Sequence, residues 1–498
     1  MVIKSTNPAT LEINGEVEET SPEALEKIFD EARAAQRKWR LLSTAKRARI
    51  IVKVNEYIAD HIDDISVIIS KETGKPPLEA FNAEVYGIMD AAFYYYNNAE
   101  KVLDAKEELD LGFYSSLDKS SFIVYKPVGV VSVIGPYNYP FAIPFNQIMQ
   151  SLIAGNSVVF KPSSDTVLVG KKIQDVFDSI DDLPSGVLTT VFGSGSVLGN
   201  VLVSKANRVV FTGSTETGKA IMKKAAETLT PVCLELGGKS EMIILPDANL
   251  DRAILAARWG CFTNSGQVCS SVKRLYLHES IAKDFTRRLV DATKKLKQGN
   301  PTDPGVDVGA MVNETQMNKV LQAIDGAKKE GAMVLCGGRR NPAFKGYFIE
   351  PTILGNCKNA MQCVQREIFG PVLPIITFKT AGEAVALANN NPYGLTSSIW
   401  TENYEEGIKL AKEIDSGTVM INEVVYTFAL APTPWGGVKS SGIGRTHGKM
   451  GFLEVVDPLH IHVDKYNAPD AWWMPYDKDF AEMMENFKLI AKSLIVRD

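Results

Sequence analysis

Cys269 lies in "TNSGQVCSS" (residues 263–271), among glycine and small polar residues, a setting for an accessible turn more than for a core. A nucleophilic cysteine needs a base to draw off its proton, yet no histidine lies near it in sequence. Glu235, at the end of the apolar run "PVCLE", offers one, because partial desolvation raises a carboxylate pKa and suits it to general-base work. Asn138, in the proline-bracketed turn "PYNYP", offers a rigid amide donor to an oxyanion.

A fourth stretch, "FTGSTETGKA" (residues 211–220), imitates a phosphate-binding P-loop. Gly213, Gly218 and Lys219 have that spacing, but Ala220 stands where a hydroxyl should hold magnesium, and Glu216 would oppose a triphosphate. A second imitation, "GGKS" at 237–240, has Cys233 in the position of the first P-loop glycine. A helix-capping turn and a dinucleotide site both remain open for 211–220; a pyrophosphate carries less charge and needs no protein-held magnesium.

These residues need elements to carry them. With 498 residues, 45% hydrophobic and 23% charged, the chain is globular and too long for one core, so two or more domains are expected. The first hundred residues read as helices, with Ser21 as N-cap, Pro22 at the first helical position and an amphipathic run ending near Gly74. From Phe122 onward β-branched runs alternate with helical patterns: "VGVVSVIGP", "SVVFKP", "LTTVFG", "RVVFTG" and "PVCLELGG", with helices from Val167, Val197 and Thr215. Such alternation implies an α/β fold with a doubly wound parallel sheet, whose ligands sit beyond the carboxyl ends of the strands. "PYNYP", "KPSSD" (161–165) and "TGSTETG" (212–218) all fall at such ends.

Composition excludes several classes. A net charge of −5 and a pI near 5.8 argue against nucleic acid as a partner and for a small molecule. The polar start, "MVIKSTNPAT", has neither signal-peptide nor transit-peptide character, and the longest apolar runs are too short to span a membrane; a cytoplasmic location is expected. Six cysteines without a C-x-x-C pair predict reduced thiols, and five histidines without a Cys/His cluster predict no metal site; His460 and His462 read as one face of a strand.

Taken in order, "GPYNYPF", "KPSSDT", "FTGSTETGK", "LELGGKS", "SGQVCSS", "EIFGPVLP", "NNNPYGLTSSIW" and "PWGGVKSSGIGR" resemble the motifs of the aldehyde dehydrogenase superfamily, from "NPAT" at residue 7 to about residue 463. The resemblance implies a dinucleotide-binding domain (1–107 and 128–236), a catalytic α/β domain (237–440) and an arm pairing subunits (108–127 and 441–498), hence a homodimer or homotetramer. It implies NAD or NADP as cofactor and an aldehyde as substrate, with Cys269 as nucleophile. Asn138 and the Cys269 backbone N–H hold the oxyanion, and Glu235 activates the water that hydrolyses the thioester. It places Lys161 at the adenosine ribose, Ser214 at the pyrophosphate, Glu367 at the nicotinamide ribose and Phe369 near the nicotinamide. Pro136, Ser163, Ser164, Gly213, Gly218 and Leu236 complete the cofactor set.

Three departures stand out. Ser164 replaces the glutamate of many NAD-preferring relatives; a carboxylate there binds a ribose 2′-OH and repels a 2′-phosphate, whereas serine does neither, so NADP is expected to be accepted. Thr446 in "GRTHG" replaces a glutamate proposed in some members to relay protons, so Glu235 needs another route to solvent. The tail from Tyr466 carries Trp472 and Trp473 and a stripe of Phe480, Met483, Met484, Phe487, Ile490 and Leu494, expected to pack on its own or a neighbouring subunit rather than on a membrane.

Tyr139, Phe141, Tyr426, Phe428 and Trp435 lie near tunnel-lining positions of relatives, which favours an apolar or aromatic aldehyde; a charged semialdehyde calls for a fixed cation, for which Arg445 and Lys273 are the candidates. Two rival readings are a CoA-acylating enzyme and a non-catalytic binding protein on the same fold. Esterase activity without cofactor is an expected side reaction.

Overall fold

The computed structural model describes residues 2–465, 469–470, 472–476 and 478–493. The chain divides into one unit of residues 1–104 and 125–457, and a second of residues 105–124 and 458–498.

The first unit holds two large sheets. One has six strands, in the order Gly442–Ile443, Val232–Glu235, Arg208–Thr212, Val130–Ile134, Ser157–Lys161, Leu188–Thr190. All its pairings are parallel except that of Gly442–Ile443 with Val232–Glu235. Val130–Ile134 and Ser157–Lys161 are buried at every residue, as near-continuous Val/Ile runs require when both faces of a parallel sheet are covered. The chain goes from Val130–Ile134 to the strands on one side and returns to Arg208–Thr212 on the other, so a topological switch point lies at Val130–Ile134, where ligand crevices form. The other sheet has seven strands, in the order Met333–Cys336, Thr352–Gly355, Val372–Phe378, Arg274–His278, Glu241–Ile244, Thr396–Trp400, Thr418–Ile421; the outermost first strand alone is antiparallel to its neighbour.

The helices follow their sequence signals. Ser21 caps Pro22–Trp39 by accepting from the Ala24 N–H at 3.2 Å, and Gly74 ends Ile62–Thr73 in the left-handed conformation (φ 82°). Between them the expected single run is broken into Pro22–Trp39, Thr44–Ile51, Val54–Asp60 and Ile62–Thr73, and a hairpin of Val2–Thr6 with Ile13–Glu18 precedes them where only helix was expected. Ala142–Ile153 is buried at every residue, which places the turn before it, bearing Asn138, on a fixed base. No helix among the described residues is long and apolar enough to cross a membrane.

In the second unit Glu107–Leu109 pairs antiparallel with Lys119–Pro127. The buried Lys119 ammonium bridges Asp464 and Asp470, the latter at 2.9 Å, and lies 5.2 Å over the Trp472 ring. His460 and His462 share one face of Val456–Asp464, their rings 6.3 Å apart. On the tail helix Lys478–Ser493, Phe480, Met483, Phe487 and Ile490 form a half-buried stripe at helical spacing, whereas Met484 is exposed. Leu494, expected on that stripe, lies outside the described residues. Trp473 is exposed.

Candidate active site

The loop carrying Cys269 begins where helix Leu250–Phe262 stops. Asn264 (φ 48°), Ser265 (φ 54°) and Gly266 (φ 71°) follow one another in left-handed backbone, a conformation that costs of order 1–3 kcal/mol at each non-glycine residue and persists only where its surroundings enforce it. Here they do. Glu79 accepts from the Thr263 hydroxyl and the Asn264 N–H, both at 2.9 Å; the Ser265 hydroxyl donates to the Gly309 carbonyl at 2.9 Å; the Gln267 side chain accepts from the Val312 N–H at 3.0 Å. Gly266 has no alternative, since a Cβ there would strike the Gly370 carbonyl.

Asn138 is tied to the same loop. Its carbonyl accepts from the Asn264 amide (2.9 Å) and from the Lys75 ammonium (2.6 Å), and its side-chain amide donates to the Gln267 carbonyl (3.0 Å). One of the two amide hydrogens is thereby left for a ligand. Lys75, wholly buried, also pairs with wholly buried Glu84 at 2.5 Å; the other Glu84 oxygen accepts from the N–H groups of Phe141 (2.8 Å) and Ala142 (3.2 Å). Glu84 belongs to a π-helical turn, Phe81–Tyr86, a geometry that concentrates at functional sites.

Two large cavities meet at Cys269. The first, about 730 Å³, opens beyond the carboxyl ends of Val130–Ile134, Ser157–Lys161 and Arg208–Thr212, and is lined by Pro136, Asn138, Lys161, Ser163, Ser164, Gly213, Ser214, Leu236, Glu367, Phe369 and Cys269. Gly218 stands behind this wall: a Cβ there would press into Leu236. The second cavity, about 470 Å³, is a largely apolar tunnel walled by Tyr139, Trp259, Phe262, Tyr426 and Phe428, with Glu79, Arg258 and Asp307 as its charged groups. Among the described residues Cys269 alone lines both. Glu235 lies with Cys269 on a third, much smaller chamber of about 10 Å³.

Burial governs the titration of these groups. It pushes the Cys269 thiol up to about 12, with the Glu235 carboxylate adding to the rise, Lys273 opposing it and Glu367 adding further. Burial likewise raises Glu235 well above the carboxylate range; Arg445 opposes and Glu454 reinforces. Cys269 is thereby held as a thiol, and a proton must leave it before its sulfur can attack. Lys161, buried and bonded to the Pro162 carbonyl at 3.0 Å, is lowered to about 8 by desolvation, partly offset by Asp165.

The first cavity fits a dinucleotide. Helix Thr215–Ala225 points its N-terminus there, capped by Ser214 through the Thr217 N–H, leaving further N–H groups for a pyrophosphate. Gly195 and Gly199 line it with open space where a side chain would intrude. Lys161 keeps N–H donors, and Glu367, which accepts from the Gly238 N–H at 3.1 Å through one oxygen, has a second oxygen for a ribose hydroxyl. The Phe369 ring meets Tyr137 edge-on at 5.9 Å.

The tunnel differs from its expected wall. Tyr139, Tyr426 and Phe428 line it, but Phe141 is wholly buried against Phe145 (ring centroids 4.9 Å), and Trp435 lines the small chamber beside Glu235 instead. Phe141 turns inward because its backbone N–H is fixed by Glu84 at the start of a buried helix. Of the two candidate cations neither faces the tunnel. Lys273 is buried behind the cofactor side, 4.0 Å from Glu367 and 4.8 Å over the Phe369 ring; Arg445 donates to the carbonyls of Gly437 and Gly444. Arg258, Trp259 and Phe262 were missed: they lie on a helix whose amphipathic pattern gives no sign that its C-terminal end borders a cavity. Among the described residues no group of three or more His, Cys, Asp or Glu side chains could hold a metal.

Comparison with known proteins adds the following. The sequence model described as "Aldehyde dehydrogenase family" matches residues 1–461. The chain is 37% identical to a peroxisomal aminoaldehyde dehydrogenase of Pisum sativum, over 96% of this chain and 95% of that protein. It is 34% identical to a 4,4'-diapolycopene aldehyde oxidase of Methylomonas, over 98% of this chain and 90% of that one. The betaine aldehyde dehydrogenase of Staphylococcus aureus in complex with NAD+ superposes with a TM-score of 0.90 at 34% identity, over 95% of this chain and 94% of that one.

Proposed function

The chain belongs to the aldehyde dehydrogenase family and is an aldehyde dehydrogenase, and from that premise we propose that it oxidises an aldehyde to the carboxylic acid through a covalent intermediate on Cys269, using NAD or NADP. The observation that carries this reading is the position of Cys269, where a dinucleotide-sized cavity and an apolar tunnel meet.

The aldehyde enters by the tunnel and the Cys269 sulfur adds to its carbonyl carbon. The oxyanion is held by the free Asn138 amide hydrogen and the Cys269 backbone N–H. Glu235, as carboxylate, takes the thiol proton. NAD or NADP, held by the residues of the first cavity, would supply the hydride acceptor, and Cys269 would then carry the acyl group as a thioester. Once Glu235 has released that proton, it draws another from water as the water oxygen attacks the thioester carbon, and the C–S bond breaks to free the acid and the Cys269 thiolate. A base held on its own small chamber beside the sulfur favours hydrolysis over transfer to CoA.

Lys161, Ser163, Ser164, Pro136, Gly213, Ser214, Gly218, Leu236, Glu367 and Phe369 form the cofactor set, with 1–107 and 128–236 as the cofactor domain and 237–440 as the catalytic domain. Ser164 presents no charge, its hydroxyl 3.5 Å from the Gly193 carbonyl, and the Lys224 and Lys319 side chains also line the cavity, so a 2′-phosphate meets cations and no carboxylate from this position. We further propose that the arm, 108–127 and 441–498, pairs subunits into a homodimer or homotetramer, to be checked by light scattering.

The tunnel's aromatic and aliphatic wall supports a first reading, an aldehyde with an apolar body. A cationic aminoaldehyde is the second reading; the names of the Pisum and Staphylococcus relatives favour it over the first, and Glu79 and Asp307 beside aromatic faces support it. The rate of reduced-cofactor formation, with NAD and NADP separately, over hexanal, benzaldehyde, 4-aminobutanal and betaine aldehyde, decides between them. Hexanal and benzaldehyde with the higher kcat/KM bear out the first reading, the amino compounds the second; Cys269→Ala is expected to abolish every signal. A Cys269→Ala enzyme that keeps its activity contradicts the covalent mechanism.

A further inference from the structure

Each turnover by the reaction proposed above leaves a proton on Glu235 that must reach solvent before the next water is activated. The Glu235 side chain is buried, and its Oε1 has no hydrogen-bond partner. The chamber it borders is shared by Cys269, Gln147, Thr446 and His447, and its volume of about 10 Å³ has room for about one water. Gln147, whose buried Oε1 also has no partner and whose Nε2 donates to the Thr212 hydroxyl at 3.0 Å, lines the same chamber. Two orphaned oxygens on one chamber are what a bridging water satisfies.

His447 closes the far side. Its Nδ1 is 2.9 Å from the Thr446 hydroxyl, its ring meets Phe428 edge-on at 4.8 Å, and its Nε2 makes no hydrogen bond among the described residues. A second small cavity of about 10 Å³ begins on the same imidazole and is lined further out by Ala83 and Gly87, which are only half-buried. His447 therefore stands between a chamber that touches Glu235 and a cavity that reaches half-buried backbone, held at φ 66°, a left-handed conformation uncommon for any residue but glycine.

We propose that Thr446 and His447 carry the Glu235 proton outward, from the chamber water to the Thr446 hydroxyl, through the imidazole, and on to water in the outer cavity. No bond other than O–H and N–H bonds changes. Glu235–H gives its proton to the chamber water as that water gives one to Thr446 Oγ1; Thr446 passes its own hydroxyl proton to His447 Nδ1, and Nε2 releases a proton to the outer water. A turn of the ring, which carries the Nδ1 proton to the outer side for exchange with water there, resets the imidazole without returning a proton to Glu235. Desolvation lowers the imidazole to about 3, so it rests neutral and ready to accept.

This inference rests on the proposed roles of Cys269 and Glu235, and the test separates the two. Hydrolysis of 4-nitrophenyl acetate without cofactor acylates the same sulfur; a burst of 4-nitrophenolate reports acylation, and the steady rate reports deacylation. In His447→Ala the burst rate is expected within twofold of the parent and the steady rate at least tenfold lower, with an acetyl adduct persisting on Cys269 by mass spectrometry. Added imidazole is expected to restore the steady rate, and Thr446→Val to slow it in the same direction. Deacylation within twofold of the parent, both steps slowed alike, or slowing that imidazole does not relieve overturns the path. Should His447→Ala not fold, Thr446→Val and His447→Gln decide by the same split between the steps. A burst that survives in Cys269→Ala refutes the nucleophile assignment, not the path.

Discussion

The two large cavities that meet at Cys269 are built in different ways. The cofactor side is made by turns immediately following parallel strands: Pro136–Asn138, Lys161–Ser164 and Gly213–Ser214 each continue one strand of the six-stranded sheet. The tunnel is made from side chains distant in sequence, drawn from the π-helical region near Glu79, the end of helix Leu250–Phe262 and the turn Tyr426–Ala429. The first wall is fixed by backbone geometry that any βαβ unit must supply; the second depends on which side chains happen to project from helices and turns. Chemistry common to many aldehydes thus sits on a rigid frame, while recognition of one aldehyde sits on parts that substitution can change without disturbing it.

That contrast predicts how far each change is felt. The largest effect falls on what both sides share. Glu235→Gln is expected to lower steady turnover by roughly 10²–10⁴-fold. In the parent, burial raises the Glu235 pKa, so the basic form is gained as pH rises and kcat climbs along a limb above the ordinary carboxylate range; the Gln variant loses that limb. Stability runs the other way. A carboxyl whose pKa is raised on folding contributes stability that is complete below its unfolded pKa and lost as pH rises through the folded value, so Glu235→Gln should melt higher than the parent at alkaline pH. A parent pH–rate profile flat through this range would break the assignment of Glu235 as base.

Next, Asn138→Ala removes one oxyanion donor and is expected to cost about 10²–10³-fold in kcat, read with the best aldehyde of the panel. Its backbone bonds to Lys75 and Asn264 stay, but the side-chain bond to the Gln267 carbonyl is lost, so the melting temperature should fall by no more than about a few degrees. On the cofactor side alone, Ser164→Glu should lower kcat/KM for NADP at least tenfold, roughly 1.4 kcal/mol, while sparing NAD. Equal losses with both cofactors would show that Ser164 does not face the 2′ position. The smallest effect belongs to the tunnel: Trp259→Ala at its half-exposed wall should raise KM a few-fold for apolar aldehydes and leave kcat near the parent value. A large kcat loss there would erase the distinction between frame and recognition.

The same contrast explains what the sequence disclosed. Strands and turns at 130–138, 157–165 and 208–218 were legible because β-branched runs alternate with helix caps, and the positions of Cys269, Glu235 and Asn138 followed from ordered motifs. The breaks in the run from Pro22 to Thr73 were not, since each falls at a change of direction of one to four residues without proline or glycine before Gly74. Nor was the N-terminal hairpin, whose Val2–Thr6 strand mixes lysine and serine with two apolar residues. Phe141 is expected in the tunnel and lies in the core because Glu84 accepts from the N–H groups of Phe141 and Ala142 and fixes the turn; nothing in the immediate neighbourhood of Phe141 encodes a partner 57 residues away. The outward route from Glu235 was left open by Thr446 and became visible only once His447 was seen between two cavities.

The central claim is that Cys269 carries the acyl group between oxidation and hydrolysis. It is tested most directly by incubating the Glu235→Gln enzyme with cofactor and the preferred aldehyde and digesting it for peptide mass analysis. The account predicts, reached slowly because the base that deprotonates Cys269 is also gone, about one equivalent of reduced cofactor per active site and an acyl adduct of the aldehyde's mass, less one hydrogen, replacing the thiol hydrogen of Cys269. Reduced cofactor formed without an adduct on Cys269, or with the adduct on another residue, would contradict it.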